Sequence, residues 1–117
     1  MSALTIYHNP KCSKSRETLA LIQGRGITPR IIEYLKTPPT AAELTAIVRM
    51  LGIRPEALVR KGEDVYKAKC AGRKLSDDQW IAAMIENPIL IERPIVVAGR
   101  KAAIGRPPER ALRLLDP

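Results

Sequence analysis

Tyr7-His8-Asn9-Pro10-Lys11-Cys12-Ser13-Lys14-Ser15-Arg16 joins a short apolar run, Leu4-Thr5-Ile6-Tyr7, to a segment with helical spacing. Its cysteine is expected in a strand-to-helix turn, where unpaired backbone N–H groups and the helix dipole favour negative charge. A thiol there is pushed toward thiolate, the form that attacks electrophiles. Lys11, Lys14 and Arg16 act in the same direction. Such a site would ionise its sulfur and also attract an anionic substrate.

Working outward, the spacing predicts a strand over 4–7 and a helix over 14–23 with Leu19 and Ile22 inward, ending ahead of Gly24 and Gly26. Arg30-Ile31-Ile32-Glu33-Tyr34 is short, β-branched and bounded by prolines, which predicts a second strand. Thr40-Ala41-Ala42-Glu43 matches a capping box, and Leu44, Ile47, Val48 and Leu51 follow at helical spacing before Gly52. A short helix over 55–59 would present Arg60 at or just after its end, and 66–70 reads as a further helical turn. Ser76-Asp77-Asp78-Gln79 caps a helix with Trp80, Ile81, Met84 and Ile85 on one face. The pattern then returns to strands over 95–98 and 101–104, joined at Gly99-Arg100 as a hairpin. Pro108 suits the first turn of a last helix with Ala111, Leu112 and Leu115 inward. The order is βαβ, a helical block, then ββα, for which a mixed four-stranded sheet covered by helices is the economical packing.

With 117 residues, 45% hydrophobic and 27% charged, the chain fits one globular domain over 1–117. Aromatics are few, so Ile, Leu, Val and Ala must fill the core. The formal charge of +8 suits anionic partners. No apolar run approaches the roughly 20 residues needed to cross a bilayer, and the N-terminus lacks a secretory pattern. A cytoplasmic location with reduced thiols is therefore expected, with no membrane partner. The basic patches lack the interleaved aromatics of a base-stacking surface, so no nucleic acid is expected either. Two distant cysteines and one histidine offer no ligand pair at metal spacing, and no metal site is expected. Neither phosphate-binding glycine motif is present.

Cys12 is the candidate nucleophile. Ser15, three residues on, stands where a dithiol site would carry a second cysteine; its hydroxyl would donate to the thiolate or simply cap the helix. The site is monothiol and needs an external thiol for turnover. His8, the sole histidine, would act as a cation beside the thiol, as a proton carrier, or as a passive surface group. Asn9 would brace the turn through its side-chain amide. Arg60, Arg93 and Arg106 stand out by position, the last two each preceding a proline beside a strand. Guanidinium groups bind tetrahedral oxyanions through forked hydrogen bonds, but spacing alone does not show that the three converge. Arg93-Pro94 is a candidate cis peptide. Cys70, among Lys67, Lys69 and Arg73, is read as a bystander.

Taken together, these residues resemble the glutaredoxin-coupled arsenate reductases. The likeness runs through Ile6-Tyr7-His8-Asn9-Pro10-x-Cys12-x-x-Ser15-Arg16, Ile32-x-Tyr34-Leu35 with Pro38-Pro39, Leu51-Gly52-Ile53, Leu58-x-Arg60-Lys61 and Asp77-Asp78-Gln79. It is densest at Pro88-Ile89-Leu90-Ile91-x-Arg93-Pro94-Ile95-Val96-Val97 and closes with Arg106-Pro107. The resemblance implies an α/β, thioredoxin-like fold: a four-stranded mixed sheet with an inserted helical block and a cis proline at Pro94. It implies Cys12 as catalytic nucleophile supported by His8 and Ser15, and Arg60, Arg93 and Arg106 as substrate-binding residues. It further implies reduction of arsenate to arsenite through a Cys12 thiol–arsenate adduct resolved by glutathione and glutaredoxin, with no bound cofactor and glutathione as co-substrate. A monomer is expected.

Departures from familiar members are Ser13 and Lys14, where a small residue and a threonine are usual, and an end at Pro117 without the charged tail some carry. They bear on affinity and donor preference. Two rival readings are a thioredoxin-like redox-sensing transcription regulator that binds RNA polymerase and a glutathione-dependent thiol reductase with another substrate. Against the regulator, Ser15 replaces the second cysteine of its usual switch.

Overall fold

The computed structural model describes residues 4–115. Its chain divides into two compact units, residues 1–37 with 93–117 and residues 38–92.

The first unit is built on a mixed sheet of four strands: β1 (Leu4–His8), β2 (Arg30–Glu33), β3 (Ile95–Ala98) and β4 (Lys101–Ile104), in the order β2-β1-β3-β4. β1 and β2 are parallel, with Ile6 opposite Ile31, and α1 (Ser13–Gly24) makes the crossover that a parallel pair requires. β1 and β3 are antiparallel, with Ile6 opposite Val96, and β3 turns into β4 through Gly99, whose φ of 61° is open to glycine at no steric cost. This is the thioredoxin-like arrangement anticipated from the sequence. Leu4, Ile6, Ile22, Val96 and Ala111 form the core, with Leu19, Ile27, Ala98 and Leu114 packed against them. Fully burying a Leu, Ile or Val side chain contributes ~1.5–3 kcal/mol.

The second unit carries α2 (Ala41–Leu51), α3 (Asp64–Lys69) and α4 (Asp77–Glu86). Thr40 and Ser76 form complete capping boxes with Glu43 and Gln79, and Gly52 ends α2 at a φ of 69°. Leu44, Ile47, Leu58, Trp80, Ile81 and Met84 are buried within it, and Tyr66 stacks on Trp80 with ring centroids 6.3 Å apart. The net charge is unevenly shared. Residues 1–37 with 93–117 hold twelve basic and four acidic residues, whereas residues 38–92 hold eight of each.

Several boundaries differ from expectation. α1 begins at Ser13 and runs through Gly24. The segments at Pro55–Leu58 and Pro108–Leu115 are 3-10 rather than α-helical, and a further 3-10 turn, Pro88–Leu90, was not foreseen. Each opens on a proline, which withholds an N–H from the first turn. Ala111 is buried and Leu112 partly so; the side chain of Leu115 lies outside the described residues. Arg93-Pro94 is cis as anticipated, and Arg106-Pro107 is cis as well. Among the described residues no helix is long and apolar enough to cross a membrane.

Candidate active site

The turn from β1 into α1 is braced before it reaches the sulfur. Asn9, itself buried, accepts the Lys11 N–H on Oδ1 at 3.0 Å, and its carbonyl accepts the Cys12 N–H at 3.0 Å. Asn9 thus performs the bracing role expected of it, now with identified partners. Cys12 occupies the cap position of α1 and is partly exposed.

Burial opposes ionisation of the Cys12 thiol, yet the balance falls the other way. The Ser15 backbone N–H, the Arg93 guanidinium and the Lys14 backbone N–H together hold its pKa below the usual cysteine value. These are the orphan donors of a helix start joined by a cation. An Arg106 Nη2 lies 3.5 Å from the sulfur, and Arg106 Nε donates to the Arg93 carbonyl at 2.7 Å, so the two arginines are tied together. Gly105 permits this approach: a Cβ there would meet Thr18 Oγ1 at 2.5 Å and Pro94 Cγ at 2.8 Å. The chain before Arg106 therefore lies directly against α1.

Ser15 is fully buried, and its hydroxyl is occupied elsewhere than expected. Oγ lies 2.6 Å from His8 Nδ1 and accepts the Asn9 N–H at 3.0 Å, while it is the backbone N–H of Ser15 that serves the sulfur. The hydroxyl does not cap α1 either. His8 is buried rather than on the surface, and its pKa is lowered by desolvation, with Glu33 opposing and Arg16 assisting. That shift disfavours the cationic form, and the imidazole is a buried partner that holds Ser15, and through it the turn.

Arg60 lies in the 38–92 unit, just after the end of the short helix as expected, and follows an isolated bridge between Val59 and Ile91. Its guanidinium is engaged by two carboxylates, Nε to Glu63 Oε2 at 3.2 Å and Nη1 to Glu92 Oε1 at 3.0 Å. Glu63 and Glu92 were missed from sequence. The i,i+3 spacing of Arg60 and Glu63 was a readable signal; Glu92, thirty-two residues away, offered none. Cys70 is a buried free thiol beside a cavity of about 230 Å³ in the same unit.

What the first unit assembles is a partly exposed, acidified sulfur with two guanidinium groups on it. That arrangement stabilises a thiolate and offers forked donors of the kind that suit an oxyanion. Comparison with known proteins points the same way. The chain is 50% identical over 112 residues to the uncharacterized protein YfgD of Escherichia coli K12, covering 94% of each. It is 46% identical over 116 residues to the arsenate reductase of that strain, covering 98% of this chain and 82% of the relative. The solved structure of arsenate reductase from Vibrio cholerae matches with a TM-score of 0.92 and 50% identity, over 97% of this chain and 98% of that one. Residues 7–114 match the ArsC family, and the chain belongs to it.

Proposed function

We propose that the protein is an oxidoreductase that reduces arsenate to arsenite, using Cys12 as nucleophile and glutathione with glutaredoxin as the thiol supply. The observation that carries this reading is the Cys12 sulfur with Arg106 3.5 Å away and the Arg93 guanidinium favouring its anion. Relatives named arsenate reductase at 46% identity support the choice of substrate.

In this reading the Cys12 thiolate attacks arsenic(V), and one arsenate oxygen departs as water after protonation. Arg93 and Arg106 neutralise the oxyanion and the departing oxygen; by the family resemblance Arg60 is a third oxyanion ligand. Glutathione then supplies the second thiol. Two electrons pass from the two sulfurs to arsenic, which leaves as arsenite, and the sulfurs end joined as a mixed disulfide. Glutaredoxin reduces that disulfide and restores Cys12. The His8 and Ser15 side chains hold the turn through their 2.6 Å contact, while the Ser15 backbone N–H faces the sulfur and steadies its anion. No bound cofactor is needed. A reducing, glutathione-containing compartment such as the cytoplasm is the setting this chemistry requires.

The test is arsenate-dependent NADPH oxidation coupled through glutathione, glutaredoxin and glutathione reductase. Wild type is expected to turn over, Cys12→Ser to be inactive and Arg93→Ala to lose on the order of 10²-fold in kcat/KM. Wild-type inactivity with every coupling component verified would overturn the reading. The double engagement of Arg60 favours one alternative, a glutathione-dependent thiol reductase acting on a different electrophile, because that guanidinium is already partnered by Glu63 and Glu92.

A further inference from the structure

The double ion pair at Arg60 is set by backbone pairing as well as by side-chain reach. The Arg60 N–H donates to the Leu90 carbonyl at 2.7 Å and the Glu92 N–H to the Leu58 carbonyl at 2.9 Å, with Val59 bridged to Ile91 between them. Segments 58–60 and 90–92 are therefore held antiparallel, and Glu92 is delivered to Arg60. Glu63 reaches the same guanidinium from three residues along the chain. The Arg60, Glu63 and Glu92 side chains are only 23%, 26% and 29% exposed, so solvent screens the cluster less than it would a surface pair. The adjacent Lys61 is engaged elsewhere, its Nζ directed to Glu56 at 2.8 Å. The Arg60 guanidinium is thus held by two carboxylates.

We propose that Glu63 and Glu92 are specificity-determining residues that compete with tetrahedral oxyanions for the Arg60 guanidinium, and so set oxyanion affinity without taking part in bond changes. The proposal rests on the reading of Arg60 as an oxyanion ligand. An anion that binds Arg60 must displace a carboxylate from the fork, and a dianion also meets the repulsion of the carboxylate that remains. The pair weakens binding of doubly charged phosphate and arsenate most, and singly charged or neutral electrophiles least. Specificity is here a penalty on the wrong charge as much as a gain for the right one.

The experiment uses the full chain as wild type, Glu63→Gln, Glu92→Gln and the double variant. Glutamine keeps an oxygen acceptor for Arg60 and removes only the charge. Inorganic phosphate is titrated by calorimetry, and arsenate kcat and KM are measured in the coupled assay. Each charge removed is expected to lower the phosphate dissociation constant and the arsenate KM about fivefold, with kcat within about twofold of wild type. Arg60→Ala in the double-variant background should abolish the gain. If wild type binds no measurable phosphate, binding acquired by the variants supports the proposal and its continued absence overturns it. Unchanged or weaker phosphate affinity in the folded variants also overturns it. Thermal unfolding identifies any variant that has lost its fold, and Glu63→Gln, whose residue lies outside the 58–60 and 90–92 pairing, keeps the test open should Glu92→Gln not fold. A wild type that binds phosphate but reduces no arsenate counts against the proposed activity and leaves the titration to decide on the carboxylates.

Discussion

At Cys12, burial and local charge act on the thiol in opposite directions, and the balance can be measured residue by residue. Arg93 stabilises the anion, so Arg93→Ala is expected to raise the Cys12 pKa toward the ~8.5 of free cysteine. The pH profile of iodoacetamide alkylation reads this as a shift of its midpoint to higher pH. Ser15→Ala makes the opposite point. It removes the hydroxyl partner of His8 and of the Asn9 N–H but keeps the backbone N–H that faces the sulfur. The alkylation midpoint should stay near wild type, while urea unfolding should report a loss of ~1–3 kcal/mol from the stranded buried groups. His8 adds a pH signature. Its folded pKa lies below 6.5, so the folded state binds fewer protons than the unfolded one. The stability it contributes is complete above about 6.5 and is lost as pH falls through the lower folded value. Stability measured across that window should decline toward acid in wild type, and His8→Gln should flatten the decline. The sequence made Cys12, and the arginines before each proline, visible. It left the roles of His8 and Ser15 open, because burial decides both.

Elements whose ends carry their own chemistry were the most legible. Thr40 with Glu43 and Ser76 with Gln79 mark their helix starts through side-chain-to-backbone bonds that depend on nothing distant. Thr40→Ala is accordingly expected to cost ~1 kcal/mol of stability, seen as a lower urea midpoint with an unchanged slope. Segments rich in proline were less legible. At Pro55, Pro88 and Pro108 the turn tightens to 3-10 geometry, a choice that depends on the surrounding packing more than on side-chain period. The strand pattern was readable from β-branched runs, and α1 between β1 and β2 required their parallel pairing. The placement of β3 next to β1 had no local signal in the sequence.

Over the whole molecule, the excess of positive charge resides in the unit that carries Cys12, while residues 38–92 are balanced. Capture of an anion by that unit should weaken as salt is raised. Between 0.01 and 0.15 M ionic strength the screening length falls from about 30 Å to about 8 Å. Arsenate kcat/KM is expected to drop several-fold over that range with kcat nearly constant; a flat profile would show that the excess charge does not guide the substrate. The carboxylates on Arg60 act in the contrary sense and locally, and no count of charges along the chain would have revealed them. Finally, Ser15 occupies the place where a second sulfur would close an internal redox couple, and its oxygen is locked against His8. In the proposed chemistry, a molecule deprived of small thiols would therefore stop at the thiol–arsenate adduct, holding one arsenate unreduced. Only when the surrounding pool regenerates the sulfur would it become a catalyst, so the protein's working rate would be a readout of that pool's redox poise.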